Sequence, residues 1–360
     1  MAITAGMGKE LREMTGAGMM DCTKALTETN GDMDAAVEVL RKSGAAKMEK
    51  KQSRIAAEGI ARVAVNGNVA VVAEVNSETD FVAKNETFQE FVQTVADTAL
   101  ASDLNGGANG EDIEALLATN GLNDLLVEKT ATIGEKLSVR RFEKVTGDLV
   151  TSYIHGGGRI GVVIAANGTA DDASKEALTN IAMQVAAMNP QYISRNDISA
   201  DELAKIKEIT IDSALNDATT LPKPILNKLL DKAINDKVWS DDDIAQFEEH
   251  KSNMNYVWNF LSDAAKAQLA ELAMADKESI TAEKMFGGLV EGRVSKQLKE
   301  ICLLDQTYVK AEDGKQSVAK YLESVSKDLT ITKMVRFEVG EGMEKKQEDF
   351  AAEVAAQIKG

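Results

Sequence analysis

The chain has 360 residues, which exceeds one comfortable hydrophobic core, so we expect two or three packing units. Its hydrophobic fraction of 44% is that of a globular protein and excludes wholesale disorder. Lysine and arginine total 41 against 58 acidic residues, and the net charge of −17 repels a phosphate backbone. Direct binding of nucleic acid is therefore not expected.

The two cysteines, Cys22 and Cys302, lie far apart and neither belongs to a CxxC pair. This usage fits a reducing cytosol and gives no zinc signature. The first thirty residues contain no apolar run of signal-peptide length, and no stretch approaches the roughly 20 apolar residues that span a bilayer. We therefore expect a cytoplasmic protein that does not bind a membrane.

Three short helices are predicted in an N-terminal domain at residues 1–45. Thr4 is expected to cap the first helix, which runs to Met14, and Asp21 to open the second. Asp32 is expected to open the third, which ends at residues 43–44. Three helices in so few residues make a bundle of marginal independent stability.

Two features near this bundle leave alternatives open. Met19 and Met20 lie between the first two helices and either fill the core or form an adaptable apolar contact surface. A linker is predicted at residues 46–55. Its basic stretch is either solvated or a local nucleic-acid contact, and consists of Lys47, Lys50, Lys51 and Arg54.

Residues 56–145 are predicted to form the first of two α+β subdomains. Alternating apolar residues lead to Asn66-Gly67, which is typical of a tight hairpin turn, and a return strand follows from Val69 to Val75. After a polar turn comes a helix with the spacing of one buried face. Its predicted buried residues are Phe88, Phe91, Val92, Val95 and Ala99.

The same order recurs in a second subdomain, predicted at residues 146–200 and 300–340. A strand at 149–154, a triple-glycine turn and a return strand at 160–166 precede another helix. The predicted buried face of that helix carries Leu178, Ile181, Ala182, Val185 and Met188. A final strand is expected at 334–339. Hairpin followed by helix, twice, indicates two related α+β subdomains.

Residues 201–299 are predicted to be helical, with Pro222 and Pro224 as interruptions. An aromatic cluster is expected from Trp239, Phe247, Tyr256, Trp258 and Phe260. An antiparallel, coiled-coil-like pair is expected to bring Leu203, Ile206 and Ile209 against Leu289, Val290, Val294, Leu298 and Ile301. A C-terminal helical module at 341–360 is predicted to carry Phe350, Val354 and Ile358 on one face.

No motif for covalent catalysis is found. The two histidines, His155 and His250, have no partners at metal-ligand spacing, and no G-x-S-x-G elbow is present. The glycines at 156–158 lack the Gly-Lys-Ser/Thr ending and the following helix of a phosphate loop, so a hairpin turn is the better interpretation. Neither catalytic residues nor a metal or other cofactor are predicted.

The segment at residues 76–85 is open to two interpretations. Asp80 either caps the helix after the strand, with Phe81 stapling its first turn, or Phe81 projects outward as an apolar wedge. Exposed aromatic side chains at such corners are frequent binding anchors.

Five segments in the right order resemble the bacterial translation elongation factor Ts family. They are residues 11–22 (LREMTGAGMMDC), 78–85 (ETDFVAKN), 155–162 (HGGGRIGV), 290–293 (VEGR) and 336–342 (RFEVGEG). The resemblance covers residues 1 to about 205 and 284–360. It implies a guanine-nucleotide exchange factor for elongation factor Tu, the GTPase that delivers aminoacyl-tRNA to the ribosome.

The resemblance also implies roles for individual residues. The N-terminal bundle resembles a ubiquitin-associated fold that docks on the partner's nucleotide domain through Lys9, Arg12, Met19 and Met20. The motif Thr79, Asp80, Phe81 and Val82 resembles the part that enters beside the partner's magnesium site and displaces the ion. A grip on the partner's third domain is implied for His155, Gly156, Gly157 and Arg159. The C-terminal helix resembles a module that returns to the nucleotide domain, and a homodimer or 2:2 complex is compatible with the family.

The chain departs from shorter members of that family at residues 210–283. This insert is either an enlarged structural hairpin or an added surface for a partner or a dimer. His250 and both tryptophans lie inside it and inherit no family role. Two rival functions are a protein-binding adaptor without exchange activity and a nucleotide-binding enzyme, and the missing phosphate loop argues against the second.

Overall fold

The computed structural model describes residues 3–344, which fold as a mixed α+β protein with antiparallel sheets. Contacts divide the chain into two compact units. The first unit combines the residues up to Asn189 with those from Thr307 onward, and the second is Pro190–Gln306. Between residues 3 and 344, no helix is long and apolar enough to span a membrane. The predicted C-terminal helix with Phe350, Val354 and Ile358 lies outside the described residues.

The helices of residues 3–344, in chain order, are α1 (Ala5–Thr15), α2 (Met19–Glu28), α3 (Met33–Glu49), α4 (Asp80–Ala83), α5 (Glu86–Ala101), α6 (Ile113–Leu117), α7 (Leu122–Ile133), α8 (Asp172–Met188), α9 (Ala200–Asn216), α10 (Lys223–Asn235), α11 (Asp241–His250), α12 (Asp263–Ala275), α13 (Lys277–Thr281), α14 (Lys284–Ile301) and α15 (Val318–Val325). The strands are β1 (Glu58–Asn66), β2 (Val69–Ser77), β3 (Gly106–Gly107), β4 (Ser138–Thr146), β5 (Leu149–His155), β6 (Ile160–Asn167) and β7 (Thr330–Glu338).

The three N-terminal helices pack around a small core that includes Leu11 and Leu26, both fully buried. The prediction that Thr4 caps α1 is confirmed, since its hydroxyl accepts a hydrogen bond from the Met7 backbone N–H at 3.3 Å. The N-terminal capping of α3 by Asp32 is confirmed in the same way.

The prediction that Asp21 opens α2 is wrong, because the helix begins at Met19, directly after Gly18. Asp21 instead lies in the first helical turn, where a negative charge is favoured by the helix dipole. Its carboxylate also accepts a hydrogen bond from Lys47 Nζ at 2.9 Å, so the side chain ties α2 to α3.

The predicted end of α3 at residues 43–44 is also wrong, and the helix continues to Glu49. Gly44 does not break it because the residue faces α7 at close range. A Cβ atom on Gly44 would lie 3.1 Å from Val127 Cγ1. The glycine is thus a packing residue that lets two helices approach.

The first sheet has the strand order β1-β2-β4-β3 and is covered by α5. The predicted hairpin turn is confirmed, with Asn66 opposite Val69. All five residues predicted for the inner face of α5 are buried. Strand β4 was not predicted, because a register shift makes Arg140 an extra residue of β4 between the pairs with Glu74 and Val75, and the adjacent Arg141 and Phe142 are both buried, so the period of two is interrupted.

The second sheet has the order β5-β6-β7 and carries α8 on one face. The predicted buried residues of α8 are confirmed except Met188, which is exposed. That prediction fails because Met188 is the last helical residue, and Asn189 then adopts a left-handed conformation that turns the chain away.

The two sheets pack face to face at a point where only small side chains fit. A Cβ atom on Gly161 of β6 would lie 2.8 Å from Val72 Cγ2 and 3.0 Å from Ala61 Cβ. The glycine at this position is therefore explained by close approach between strands.

The second unit has a hydrophobic core of its own. Trp239 is buried, donates from Nε1 to the Ala265 carbonyl at 2.8 Å, and meets Phe247 edge-on at 5.7 Å between ring centroids. The predicted aromatic cluster is confirmed only in part, because Tyr256 is 62% exposed and Phe260 is also exposed. Tyr256 and Phe260 flank a short 3-10 turn after α11, and the Phe260 ring stacks on His250 at 3.6 Å between ring centroids instead of entering the core.

Helices α9 and α14 contact each other as predicted, but not through all of the predicted residues. Leu203 and Ile209 are exposed, so the prediction that they face α14 is wrong. The buried stripe of α9 passes through Thr210 and Ala214, where small side chains let α12 and α14 come close. On α14 the buried residues include Val290 and Leu298, as predicted.

One carboxylate joins two helix starts in this second unit. The Asp243 oxygens accept from the Ser240 hydroxyl at 2.6 Å, and from the Ser262 backbone N–H and hydroxyl at 2.8 and 2.9 Å. Ser240 and Ser262 are the caps of α11 and α12. The Ser240 bond first, and then those from Ser262, hold the pKa of Asp243 below its ordinary value against the opposing effect of burial.

We expect Gly161→Ala to destabilise the first unit by about 1–3 kcal/mol, because the added methyl group overpacks the junction of the two sheets. The same replacement at Gly288, which is exposed in α14 with nothing nearby to clash, should stabilise by about 0.5–1 kcal/mol. Urea unfolding followed by far-ultraviolet circular dichroism measures both. Equal effects of the two replacements would contradict the close-approach explanation.

Asp243→Ala should lower the free energy of unfolding of the second unit by about 2 kcal/mol, since it removes three charge-assisted hydrogen bonds. Both tryptophans of the chain, Trp239 and Trp258, lie in this unit, so their fluorescence reports its unfolding. The exposed neighbour Asp242→Ala is the matched control. Because the folded pKa is lowered, the wild-type advantage is full above the ordinary carboxyl pKa of about 4 and should shrink as pH falls below it.

Candidate functional site

The predicted residues 79–82 lie on a single-turn helix at the end of strand β2. The Thr79 hydroxyl accepts a hydrogen bond from the Val82 backbone N–H at 3.4 Å, so Thr79 is the cap of α4. The interpretation that Asp80 is the cap is therefore wrong, since Asp80 is the first helical residue. Thr79 and Asp80 are adjacent residues of cap-forming type, and only the backbone geometry distinguishes them.

Phe81 is the most conspicuous side chain of this turn, with 80% of its surface exposed. The interpretation of Phe81 as a staple is wrong, because Val82 and Ala83 pack against the core of the first sheet instead. Leaving such a ring in water forgoes about 1.5–3 kcal/mol of burial free energy. The turn is thus anchored on one side and presents an aromatic ring on the other, which is typical of a binding anchor.

Asp80 places a negative charge beside that ring. Its Oδ2 atom lies 2.7 Å from Lys84 Nζ, one helical turn later, and both side chains are exposed. The hydrogen bond from Lys84 lowers the pKa of Asp80, so the carboxylate is ionised at neutral pH. Lys84 Nζ is also 5.9 Å from the Phe81 ring centroid. An exposed ring next to a carboxylate suits insertion near a charged site rather than acid–base chemistry.

The second group of predicted residues lies on the turn between β5 and β6. His155 is exposed, and its Nδ1 lies 3.1 Å from the Tyr153 hydroxyl oxygen. Gly156 and Gly157 have φ values of 58° and 66°, in the left-handed region that favours glycine. Arg159 is exposed and lies 3.8 Å from a Glu58 carboxylate oxygen.

Two side chains that no sequence pattern singles out, Arg62 and Gln89, lie between this glycine turn and α4. Arg62 Nη1 would lie 3.0 Å from a Cβ atom on Gly158, and Arg62 Nη2 donates to Gln89 Oε1 at 3.0 Å. The Gln89 amide in turn donates to the Ala83 carbonyl at the end of α4, at 3.2 Å. Burial lowers the pKa of Arg62. Arg62 therefore lies between the glycine turn and Gln89, whose amide is hydrogen-bonded to the end of α4.

The third group lies on the N-terminal bundle. Lys9 and Arg12 are exposed on α1, where Lys9 forms a 3.7 Å ion pair with Glu13. Met20 is 74% exposed and Met19 is also exposed, so the interpretation that they fill the core is wrong. They form an apolar surface at the start of α2, adaptable because methionine side chains are flexible. That this surface and the other two groups contact a partner stays a prediction.

The chain resembles proteins of known family along almost its whole length. The family model described as "Elongation factor TS" matches residues 78–341. The protein named elongation factor Ts from Clostridioides difficile (strain 630) is 42% identical over 368 aligned residues, which cover 99% of each chain.

Proposed function

Since this chain belongs to the elongation factor Ts family, we propose that it is the guanine-nucleotide exchange factor for elongation factor Tu. It binds the GDP-bound GTPase in the cytoplasm, promotes release of GDP and lets GTP bind during translation elongation. It does so by binding alone, without covalent chemistry and without a cofactor of its own.

The observation that carries the mechanism is the exposed Phe81 ring on a turn whose neighbours are buried. GDP is held in such GTPases by phosphate contacts and a bridging Mg²⁺, whose charge dominates the site. Phe81 enters between helices of the partner and shifts the packing that positions the ligands of the metal. Asp80 follows with a carboxylate that changes the local field. The magnesium ion of the partner is thereby displaced, and GDP loses the positive charge that bridges its phosphates to the partner.

The thermodynamics of exchange follow from reciprocity. If the factor binds the empty GTPase more tightly than the GDP-bound form, nucleotide weakens the factor as much as the factor weakens nucleotide. Neither ligand then traps the other in the ternary complex. An acceleration of four or five decades needs only about 5–7 kcal/mol off the barrier, which a few buried contacts around one inserted ring can supply.

The other predicted residues serve to hold the partner while the ring inserts. In this proposal the ubiquitin-associated-like bundle docks on the nucleotide domain through Lys9, Arg12, Met19 and Met20. The turn with His155 and Arg159 contacts the third domain of the partner. Two anchors raise the effective concentration of the wedge at its target, so a single weak insertion becomes efficient. A homodimer or a 2:2 complex with the partner is compatible with this arrangement.

We expect Phe81→Ala to leave a folded protein that still binds elongation factor Tu but accelerates GDP release at least about tenfold less. Folding should be unaffected because the ring makes few contacts with its own chain. Stopped-flow release of a fluorescent GDP measures the maximal rate, and titration of the factor measures the affinity. Phe260→Ala, which removes an exposed ring of the insert, is the matched control.

Wild-type release rates from the Phe81 variant would exclude the wedge mechanism. If elongation factor Tu releases GDP no faster with the wild-type chain than with a control protein, exchange activity is absent. The adaptor function is then the better description.

A further inference from the structure

The loop between α7 and β4 contacts the turn that carries Phe81. Glu135 Oε2 accepts hydrogen bonds from the backbone N–H groups of Glu78 and Thr79, each at 3.0 Å. Its other oxygen, Oε1, accepts from the Thr79 hydroxyl at 2.7 Å. One carboxylate thus receives three donors from the two residues that immediately precede α4.

The bond to the Thr79 hydroxyl also determines how Thr79 caps the helix. A hydroxyl has one hydrogen and two lone pairs. Because the hydrogen points at Glu135, a lone pair is left to accept from the Val82 N–H, the bond that starts α4. Glu135 therefore orients the cap as well as the backbone, and the direction in which the helix leaves the sheet depends on both.

The same loop binds the basic linker that comes from the N-terminal bundle. Lys136 Nζ donates to the carbonyls of Gln52 and Arg54 at 2.6 and 2.9 Å, and Lys51 Nζ donates to the Gly134 carbonyl. The linker is thus anchored to the first unit. The loop holds the linker with the residues on either side of Glu135.

The Glu78 carboxylate contacts both the loop and the linker. Its Oε1 atom accepts from the Lys136 backbone N–H at 2.5 Å and lies 3.2 Å from Arg54 Nη1. The linker, the loop and the start of α4 therefore form one hydrogen-bonded cluster, and Glu135 is the member that contacts Thr79.

We propose that Glu135 is the positioning residue of the exchange turn, by which we mean residues 78–83. It holds Thr79 so that Phe81 and Asp80 are presented in one orientation before the partner arrives. The inference rests on the proposed exchange function. Glu135 itself is half-buried beneath the turn and acts through Thr79. A fixed orientation lowers the entropy lost on insertion, and displacement of a reacting or inserting group by about 1 Å can cost two decades in rate.

The first test compares Glu135→Ala with Glu135→Gln. The alanine variant should lower the maximal rate of GDP release from elongation factor Tu about tenfold while the half-saturating concentration of factor changes less than about threefold. The glutamine variant retains a carbonyl that accepts from the two backbone N–H groups, and its amide can donate to the second lone pair of the Thr79 hydroxyl, so it should keep most of the rate. Glu114→Ala, which removes an exposed acid of α6, is the charge-matched control.

A double-mutant cycle with Phe81→Ala distinguishes positioning from any other role. If Glu135 acts only through the turn, the double variant should be no slower than Phe81→Ala alone. Additive losses would overturn the proposal, and so would a wild-type rate from Glu135→Ala. If Glu135→Ala does not fold by circular dichroism, Glu135→Asp replaces it: its carboxylate is one methylene further from Thr79, so the variant should lower the rate, and a wild-type rate from it overturns the proposal. Failure of the exchange function would show separately, as an inactive wild-type chain.

Discussion

The arrangement of the first unit depends on one fully buried carboxylate, that of Glu74 in β2. It receives Arg141 Nε at 2.6 Å, Arg140 Nη1 at 2.9 Å and the Gly340 backbone N–H at 2.9 Å. A buried charge that lost these partners would cost several kcal/mol, so the strands that supply them cannot shift independently. Arg140 and Arg141 belong to β4, and Gly340 follows β7 of the other sheet. Glu74 therefore fixes both sheets relative to the strand that leads directly into α4.

The position of the exchange turn follows from that constraint. Strand β2 ends three residues after Glu74, at Ser77, and α4 begins three residues later at Asp80. Over so short a distance the chain has little conformational freedom. The hydrogen bonds from Thr79 to the Glu135 carboxylate restrict it further. An exposed phenylalanine is normally a liability for a folded protein. Here it follows a corner of the sheet at which three hydrogen bonds from Glu78 and Thr79 to Glu135 restrain the chain, which is consistent with a ring that is oriented before it meets its target.

The sequence predicts those features that are encoded locally and misses those that depend on distant partners. The hairpin at Asn66 and the buried face of α5 follow from turn chemistry and from a period of 3.6 residues, and both are confirmed. Strand β4 is missed because Arg141 is buried by pairing with Glu74, which no local pattern reveals. The contact between Glu135 and Thr79 joins residues 56 positions apart, so neither spacing nor composition indicates it. The function is predicted by the resemblance of five short segments to a known family. The exposure of Phe81 is visible only in the structure.

The spacing between the proposed contact regions also bears on how the factor distinguishes the empty partner from the GDP-bound one. Arg62 and Gln89 lie between the glycine turn at His155 and helix α4, so in the proposed mechanism a partner that contacts the turn meets Phe81 at a defined distance. A flexible connection would let the factor bind both nucleotide states equally well, and a ligand with equal affinity for two states shifts neither. In the proposed mechanism, a stiff connection favours the partner state whose open nucleotide site fits both contact regions at once. On that proposal, the difference in affinity between the empty and the GDP-bound partner depends on how firmly the hydrogen bonds of Glu135 and Gln89 hold α4 in place.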